Sequence, residues 1–292
     1  LTYLVGADKT YAATIRLGME TTTEDAEGEV TTAHGCRIDD LPEERLQEAL
    51  SGLAGVIQQV PSAVSAIKVD GVRAYKRVRD GQDVELEARP VTIHELRPVG
   101  EPRQAGVDLA GAAAGRVSTG AEADGAEGEV QVVDLDVVVS CSSGTYVRAL
   151  ARDLGRTLGC GAHLIALRRT GVGPFDVGQA HTLTALSEQV ETDAATPDPR
   201  GVTTIPLEEV ARRCFERLDL TEAEARGLRF GQPLDVAALE RAQSPVGNAV
   251  PVASKEAPGQ RVVAGFAPDG RLVALLTPRG SRARPVLVLD PA

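Results

Sequence analysis

Tryptophan is absent from the sequence, methionine occurs once, and tyrosine, phenylalanine and cysteine occur four times each. The cysteines (Cys36, Cys141, Cys160 and Cys214) are scattered and form no C-x-x-C pair. That spacing argues against a disulfide scaffold and for a reducing cytoplasm. No apolar run approaches the roughly 20 residues that a transmembrane helix needs. The opening residues lack the basic-then-apolar pattern of a secretory leader. A cytoplasmic protein with no membrane association is therefore expected. Cys160 and His163 have a C-x-x-H spacing, and His34 lies close to Cys36, but neither pair has a second pair at zinc-ligand spacing. No metal site is expected. G-x-x-x-x-G-K-[ST] is missing, as are G-x-G-x-x-G after a strand and G-x-S-x-G, so phosphate cradles and the hydrolase elbow have no support. The histidines have no evident nucleophile partner, and no cofactor is expected.

What is present is 292 residues with ordinary globular composition, 42% hydrophobic and 25% charged. That length suffices for one large domain or two ordinary ones. The net charge is −11, which taken alone argues against a polyanionic partner. Its distribution is uneven. Residues 20–48 hold ten acidic and two basic residues, and residues 101–129 hold six and two. Residues 61–81 and 141–180 each carry an excess of three basic residues. Two basic stretches in an acidic chain can form one phosphate-binding face or two solvated surfaces. Arginine outnumbers lysine 27 to 4, a bias that genome base composition explains equally well.

Hydrophobic periodicity places the elements. Thr10 to Leu17 alternates as a strand, with Tyr11, Ala13, Ile15 and Leu17 on one face. The acidic loop TTTEDAEGE (21–29) follows. A helix is predicted over 41–53, capped by Asp40 with Glu43 and striped by Leu46, Ala49, Leu50 and Leu53. Short strands follow at 56–60 and 63–69, with a turn at Asp70-Gly71, a basic helix at 73–79 and a strand at 91–99. Residues 100–128 are Gly/Ala-rich and read as a flexible insertion. A long strand at 130–139 and the loop CSSG lead into a helix over 145–158, on which Arg148, Arg152 and Arg156 line one face. Residues 163–169 read as a strand and 187–204 as a linker. Beyond the linker come a capped helix within 220–234, a hairpin at Pro268-Asp269-Gly270 and a strand at 285–289. All tyrosines precede residue 150 and all phenylalanines follow residue 174, which fits two differently built domains.

In SCSSGTYVRAL, Tyr146 and Arg148 emerge at a helix start. An aromatic ring and a guanidinium beside free backbone N–H groups suit a flat, polar or anionic ligand. A core tyrosine and a surface arginine fit the bare pattern as well.

Four blocks carry more: DKTYAATIRLG (8–18), PSAVSAIKVDGVRAYKRVRDG (61–81), RPVTIHEL (89–96) and CSSGTYVRALARDLGRTLGCGAHLIALRRTGVGPF (141–175). In this order they resemble bacterial tRNA pseudouridine synthase B, over residues 1–185. The resemblance implies an α+β protein. Its catalytic domain (1–186, with the 100–128 insertion) has the pseudouridine synthase fold, a mixed, mainly antiparallel sheet with flanking helices. After the 187–204 linker comes a small β-rich, PUA-like RNA-binding domain of the actinobacterial type (205–292). It implies an isomerase that flips the T-loop uridine of tRNA out of its stack and converts it to pseudouridine without cofactor or metal. By resemblance Tyr11 stacks on the flipped base and assists proton removal at C5, Tyr146 and Leu167 line the uracil pocket, and Arg148 pairs with the catalytic aspartate. Lys68, Arg73, Lys76, Arg168 and Arg169 face the T-arm backbone. Leu167 suits a core position as well as a pocket.

The family's nucleophile sits in a G-[TA]-L-D-P motif upstream of the Lys-x-Tyr strand. No such motif occurs in these residues: Asp8, Asp198 and Asp290 all lack its context. The chain opens at Leu1, and Met19 is its sole methionine. The expectation is an N-terminally truncated, inactive but monomeric tRNA-binding chain. The alternatives are a non-catalytic protein that binds or folds tRNA and an acidic-metabolite binder using the Arg148/Arg152/Arg156 stripe.

Overall fold

The computed structural model describes residues 4–62, 68–69, 72–73, 86–109, 129–245 and 261–292. It divides into two compact units, Lys9–Thr170 and a second made of the residues up to Asp8 with Gly171–Ala292.

The first unit is built on β1 (Lys9–Leu17), β2 (Met19–Thr21), β3 (Val30–Ala33), α1 (Glu43–Gly52), β4 (Gly55–Gln59), β5 (Lys68–Val69), β6 (Val72–Arg73), β7 (Arg89–Pro98), β8 (Arg103–Asp108), β9 (Glu129–Cys141), α2 (Val147–Leu158) and β10 (Ala162–Val172). The main sheet runs β10-β1-β9-β7-β4, and its spine is β9. One edge of β9 pairs along all of β1, Lys9↔Cys141 through Leu17↔Val133. Its other edge is shared. Ile93–Pro98 of β7 pairs with residues 137–141, and β8 pairs with residues 129–134.

The alternation read from β1, carried across the register to β9, explains both faces. Ala13, Ile15 and Leu17 lie opposite Val137, Leu135 and Val133, all at most 5% exposed. Leu46, Ala49 and Leu50 of α1 and Val147, Leu150, Ala151, Leu154 and Leu158 of α2 close this core. Gly155 permits the approach, since a Cβ there would stand 2.2 Å from the Ala162 nitrogen. On the other face Arg16 sits opposite Asp134 and forms a two-pronged bridge, Nε–Oδ1 2.7 Å and Nη2–Oδ2 2.8 Å. Asp136 accepts from Thr14 Oγ1 (2.6 Å) and pairs with Arg103.

The second unit contains β11 (Phe175–Asp176), α3 (Leu183–Ala194), α4 (Leu207–Cys214), β12 (Glu216–Asp219), α5 (Glu222–Arg229), β13 (Leu234–Asp235), β14 (Val263–Phe266), β15 (Leu272–Arg279) and β16 (Arg282–Val288). Its sheet runs β12-β14-β15-β16-β13, antiparallel except for β12 and β14. Thr221 and Glu224 cap α5 reciprocally, as the sequence pattern predicts. Leu272 to Leu276 are all buried, and Arg212 lies 4.1 Å from the Phe266 ring centroid. The α+β class and the small β-rich C-terminal domain agree with the expectation.

Several expectations are corrected. The first helix begins at Glu43 with Pro42 at its N-cap and no side-chain cap, because Ile38–Asp40 forms a 3-10 turn that draws Asp40 away. The start of the 100–128 insertion is strand β8. Ala105 and Val107 pack against Met19, Ala33, Val130 and Val132, and the Gln104 amide donates to the Val132 carbonyl at 2.9 Å. Residues 110–128 lie outside the described residues. Arg73 belongs to strand β6, paired with Lys68 of β5, and not to a helix, while residues 70–71 and 74–79 lie outside the described residues. The 145–158 helix starts at Val147. Helix α3, capped by Thr182 Oγ1 accepting from the Ala185 N–H (3.1 Å), runs through the first part of the stretch read as linker. The boundary between units falls at Thr170 because Phe175 and Leu4 pack with Phe266 and its neighbours. Among the described residues no helix is long and apolar enough to cross a membrane.

Candidate functional site

The start of α2 is fixed from both sides. Behind it, Ser142 exchanges hydrogen bonds with the Thr92 backbone (2.8 and 2.9 Å). Gly144 supplies the positive φ of the turn, +93°. Beside it, the Gln59 amide, 1% exposed, accepts from the Tyr146 N–H (2.9 Å) and donates to the Tyr146 carbonyl (3.2 Å). Arg148 therefore leaves the first turn of α2 from an anchored backbone.

Its partner is Asp25, with Nη2 2.6 Å from Oδ2. Asp25 is 9% exposed and accepts further from Thr23 Oγ1 (2.5 Å) and the Glu27 N–H (3.1 Å). Its carbonyl accepts from Thr21 Oγ1 at 2.7 Å. The threonines of the acidic loop thus hold an aspartate in place. Next to it Glu24 adopts φ +61°, the only positive φ of a non-glycine among the described residues. This left-handed conformation costs a residue with a side chain about 1–2 kcal/mol. Glu24 Oε1 pairs with Arg152 Nη1 at 2.8 Å. Arg152 also bonds Asp153 (2.8 Å) and the Val60 carbonyl (2.8 Å), so it is buried and not part of an exposed stripe.

Asp25, Ala26, Glu27, Arg148 and residues 164–167 line a cavity of about 300 Å³. That is the small end of the range for small-ligand sites, about 300–1,000 Å³. Leu167 and Ala166 also line a second hollow of about 430 Å³ with Thr14, Asp136 and Arg168. Leu167 is 46% exposed and forms a wall, not core. Tyr11 lies half-buried on β1, with the Arg169 cation near its phenol. Burial, and secondarily Cys141, push the Tyr11 phenol above the ordinary tyrosine value, against the Arg169 cation. At neutral pH it is therefore a neutral ring and a hydrogen-bond donor.

Six expected site residues, Tyr11, Tyr146, Arg148, Leu167, Arg168 and Arg169, thus fall on β1, the start of α2 and β10. Arg148 and Leu167 share the cavity. Tyr146 is held by its backbone next to Arg148. Lys68 and Arg73 face each other in the β5–β6 pair, and Lys76 lies outside the described residues. The sequence reading missed Asp25, Glu24, Gln59 and the buried position of Arg152. The signal for Asp25 is its threonine-flanked loop, TTTEDAEGE.

Among the described residues no group of His, Cys, Asp and Glu could hold a metal ion. His163 is a core histidine. It is 4% exposed, its Nδ1 is 2.9 Å from the Met19 carbonyl, and burial lowers its pKa, so it is neutral and donates. The Cys36 and Cys160 thiols influence one another, Cys160 being pulled down and Cys36, with burial, pushed up.

The family model "TruB family pseudouridylate synthase (N terminal domain)" matches residues 1–110. "tRNA pseudouridylate synthase B C-terminal domain" matches 148–210, and "tRNA Pseudouridine synthase II, C terminal" matches 245–290. A tRNA pseudouridine synthase B of Arthrobacter sp. (strain FB24) is 45% identical over 294 residues, covering 100% of this chain and 80% of that protein. One of Mycobacterium leprae (strain TN) is 41% identical over 288 residues, 99% of this chain and 73% of that protein. Among solved structures, a chain of a Cbf5-Nop10-Gar1 complex superposes with a TM-score of 0.59 at 19% identity, over 99% of this chain and 68% of that one. A chain of an H/ACA RNP bound to a substrate RNA containing 2'-deoxyuridine gives 0.57 at 17%, with the same coverage. These two likenesses concern the fold.

Proposed function

The chain belongs to the tRNA pseudouridine synthase B family, and from that membership we propose that it serves the isomerisation of the T-loop uridine of tRNA to pseudouridine. It acts as a cytoplasmic monomer on the T-arm. In this reaction a carboxylate breaks the N1–C1′ glycosidic bond, the uracil turns, C5 bonds C1′, the C5 proton leaves and N1 takes up a proton, so product and substrate are isomers. The base must first leave its stack, at a cost of a few kcal/mol.

The observation that carries the reading is the Arg148–Asp25 pair, which lines one cavity together with Leu167. It supplies a fixed cation where a carboxylate and a planar base must be held. Tyr11 stacks on the flipped base, worth about 1–3 kcal/mol, and Arg169 orients its hydroxyl. Because the phenol is neutral, Tyr11 contributes its ring and its O–H before any basicity. Leu167 closes the uracil pocket. Arg168, with Lys68, Arg73 and Lys76, meets the phosphate backbone, and the small C-terminal domain adds RNA affinity as a PUA-like module.

The nucleophile is the remaining part. Asp25 is engaged by Arg148, Thr23 and the Glu27 N–H, and it lacks the G-x-L-D-P setting. We assign it to holding Arg148 and propose that these 292 residues bind the T-arm without turning it over. Tritium release from C5-labelled T-arm RNA tests this, and the expected result is salt-dependent binding with no release. Release by this chain would overturn the inactivity, and absence of binding would overturn the RNA reading. The same measurements address the alternative, a protein that binds or folds tRNA. If a chain extended to include a G-x-L-D-P segment also binds without release, that alternative stands.

A further inference from the structure

We propose that Glu24 and Arg152 are positioning residues, whose buried ion pair holds the left-handed turn that aims Asp25 at Arg148. In extended backbone, successive side chains point to opposite sides. Here two successive carboxylates, Glu24 and Asp25, engage Arg152 and Arg148 on the same helix. Residues four apart on a helix lie one above the other. A positive φ at Glu24 turns the chain so that both carboxylates can face that stripe.

The surroundings favour positioning over plain stability. A buried ion pair is weak evidence for stability, because desolvating both charges offsets their attraction. This pair is also incompletely satisfied: Glu24 Oε2 is buried and has no partner among the described residues. A glycine would take the turn without strain but would bring no carboxylate. What the glutamate adds is specificity. It occupies Arg152, which also grips the Val60 carbonyl at 2.8 Å, and so leaves Asp25 to Arg148. The loop is tied to β10 as well, by the Leu164 N–H donating to the Glu24 carbonyl (3.1 Å) and a parallel bridge at Asp25. One turn thus sets the distance between Arg148 and the cavity wall that carries Leu167.

The catalytic meaning of this strut rests on the proposed function, but its existence can be tested without turnover. The probe is the Arg148 guanidinium in arginine-labelled protein, observed by NMR. In Glu24→Gln its N–H protons should exchange with water about tenfold faster as Asp25 loosens. Asp153→Asn, which frees only the outer side of Arg152, should leave them unchanged. Glu24→Gly guards against misfolding, because the turn itself is relaxed. It should lower the melting temperature only by the loss of the Arg152 partner, without backbone strain, and still loosen Arg148 in a folded chain. An unchanged Arg148 signal in folded Glu24→Gln or Glu24→Gly overturns the proposal. Binding of T-arm RNA to the unsubstituted chain is read in parallel. No RNA binding with the expected Arg148 response defeats the functional reading and leaves the strut standing. In an extended chain that turns over RNA, Glu24→Gln should lower kcat by on the order of 10- to 100-fold with KM nearly constant.

Discussion

Arg16–Asp134 and Arg148–Asp25 are the same chemical pair built in two ways. The first spans two regular strands, at directly opposed positions of β1 and β9, with two parallel hydrogen bonds. The second joins a helix start to an irregular loop, through a single contact beside a strained residue. The cross-strand pair follows from the pleat and needs no special backbone. The loop pair exists only because threonines, a left-handed turn and a second ion pair hold it. A regular sheet pins charge cheaply where it stabilises, whereas an irregular loop pins it where a ligand can reach.

Three substitutions test this contrast, in order of expected effect. Arg148→Ala, in an extended chain that releases tritium, should reduce release at least about 100-fold. Its urea midpoint should move little, since Thr23 Oγ1 and the Glu27 N–H still satisfy the Asp25 carboxylate. Asp134→Ala should do the reverse. It leaves the Arg16 guanidinium without its carboxylate on the sheet and should cost about 2 kcal/mol by urea unfolding at constant m, with tritium release nearly unchanged. A large loss of activity in Asp134→Ala would collapse the distinction between the two pairs.

Asp136→Asn should be the mildest. Its carboxyl is held below the usual aspartate range, first by Arg103 and then by Thr14. A depressed pKa contributes stability above the unfolded-state value, about 3.9, and loses it as pH falls through the folded-state value. The pair is largely exposed, so the contribution at neutral pH is about 0.5 kcal/mol. The substituted protein should be weaker by that amount at pH 7, and the difference should begin to shrink near pH 4 and vanish only once pH is below the depressed folded-state value. A difference undiminished at pH 2 would assign the effect to lost packing.

The same contrast decides what the sequence disclosed. Strand β1 was legible because its alternation is local, and β9 because its long apolar run is. Helix α2 was legible from Leu150, Leu154 and Leu158. Strand β8 was not, because RQAGVD has little apolar signal and owes its form to its partner β9. Helix α3 buries no residue, so no apolar stripe distinguished it from a linker. At the site, resemblance supplied Tyr11, Arg148 and Leu167. The partner of Arg148 was hidden because loop and helix meet only in three dimensions. Arg152 reaches Glu24 across 128 positions of sequence. Arg152 also shows the limit of spacing, since an i, i+4 series says which residues share a face and not whether that face is wet.

The central strand of the first unit has a consequence for how the chain is made. β1, β7 and β8 all pair with β9, and β9 follows all three in sequence. A ribosome adding about 5–20 residues per second delivers β1 on the order of 10 s before its partner. Through that interval apolar strands wait with unpaired edges, exposed to pairing with other chains. The charges on their outward faces, Arg16 on β1 and Arg103 on β8, then serve as temporary guards. They are neutralised only when Asp134 and Asp136 emerge, so the arrival of one late strand both completes the sheet and retires its protection.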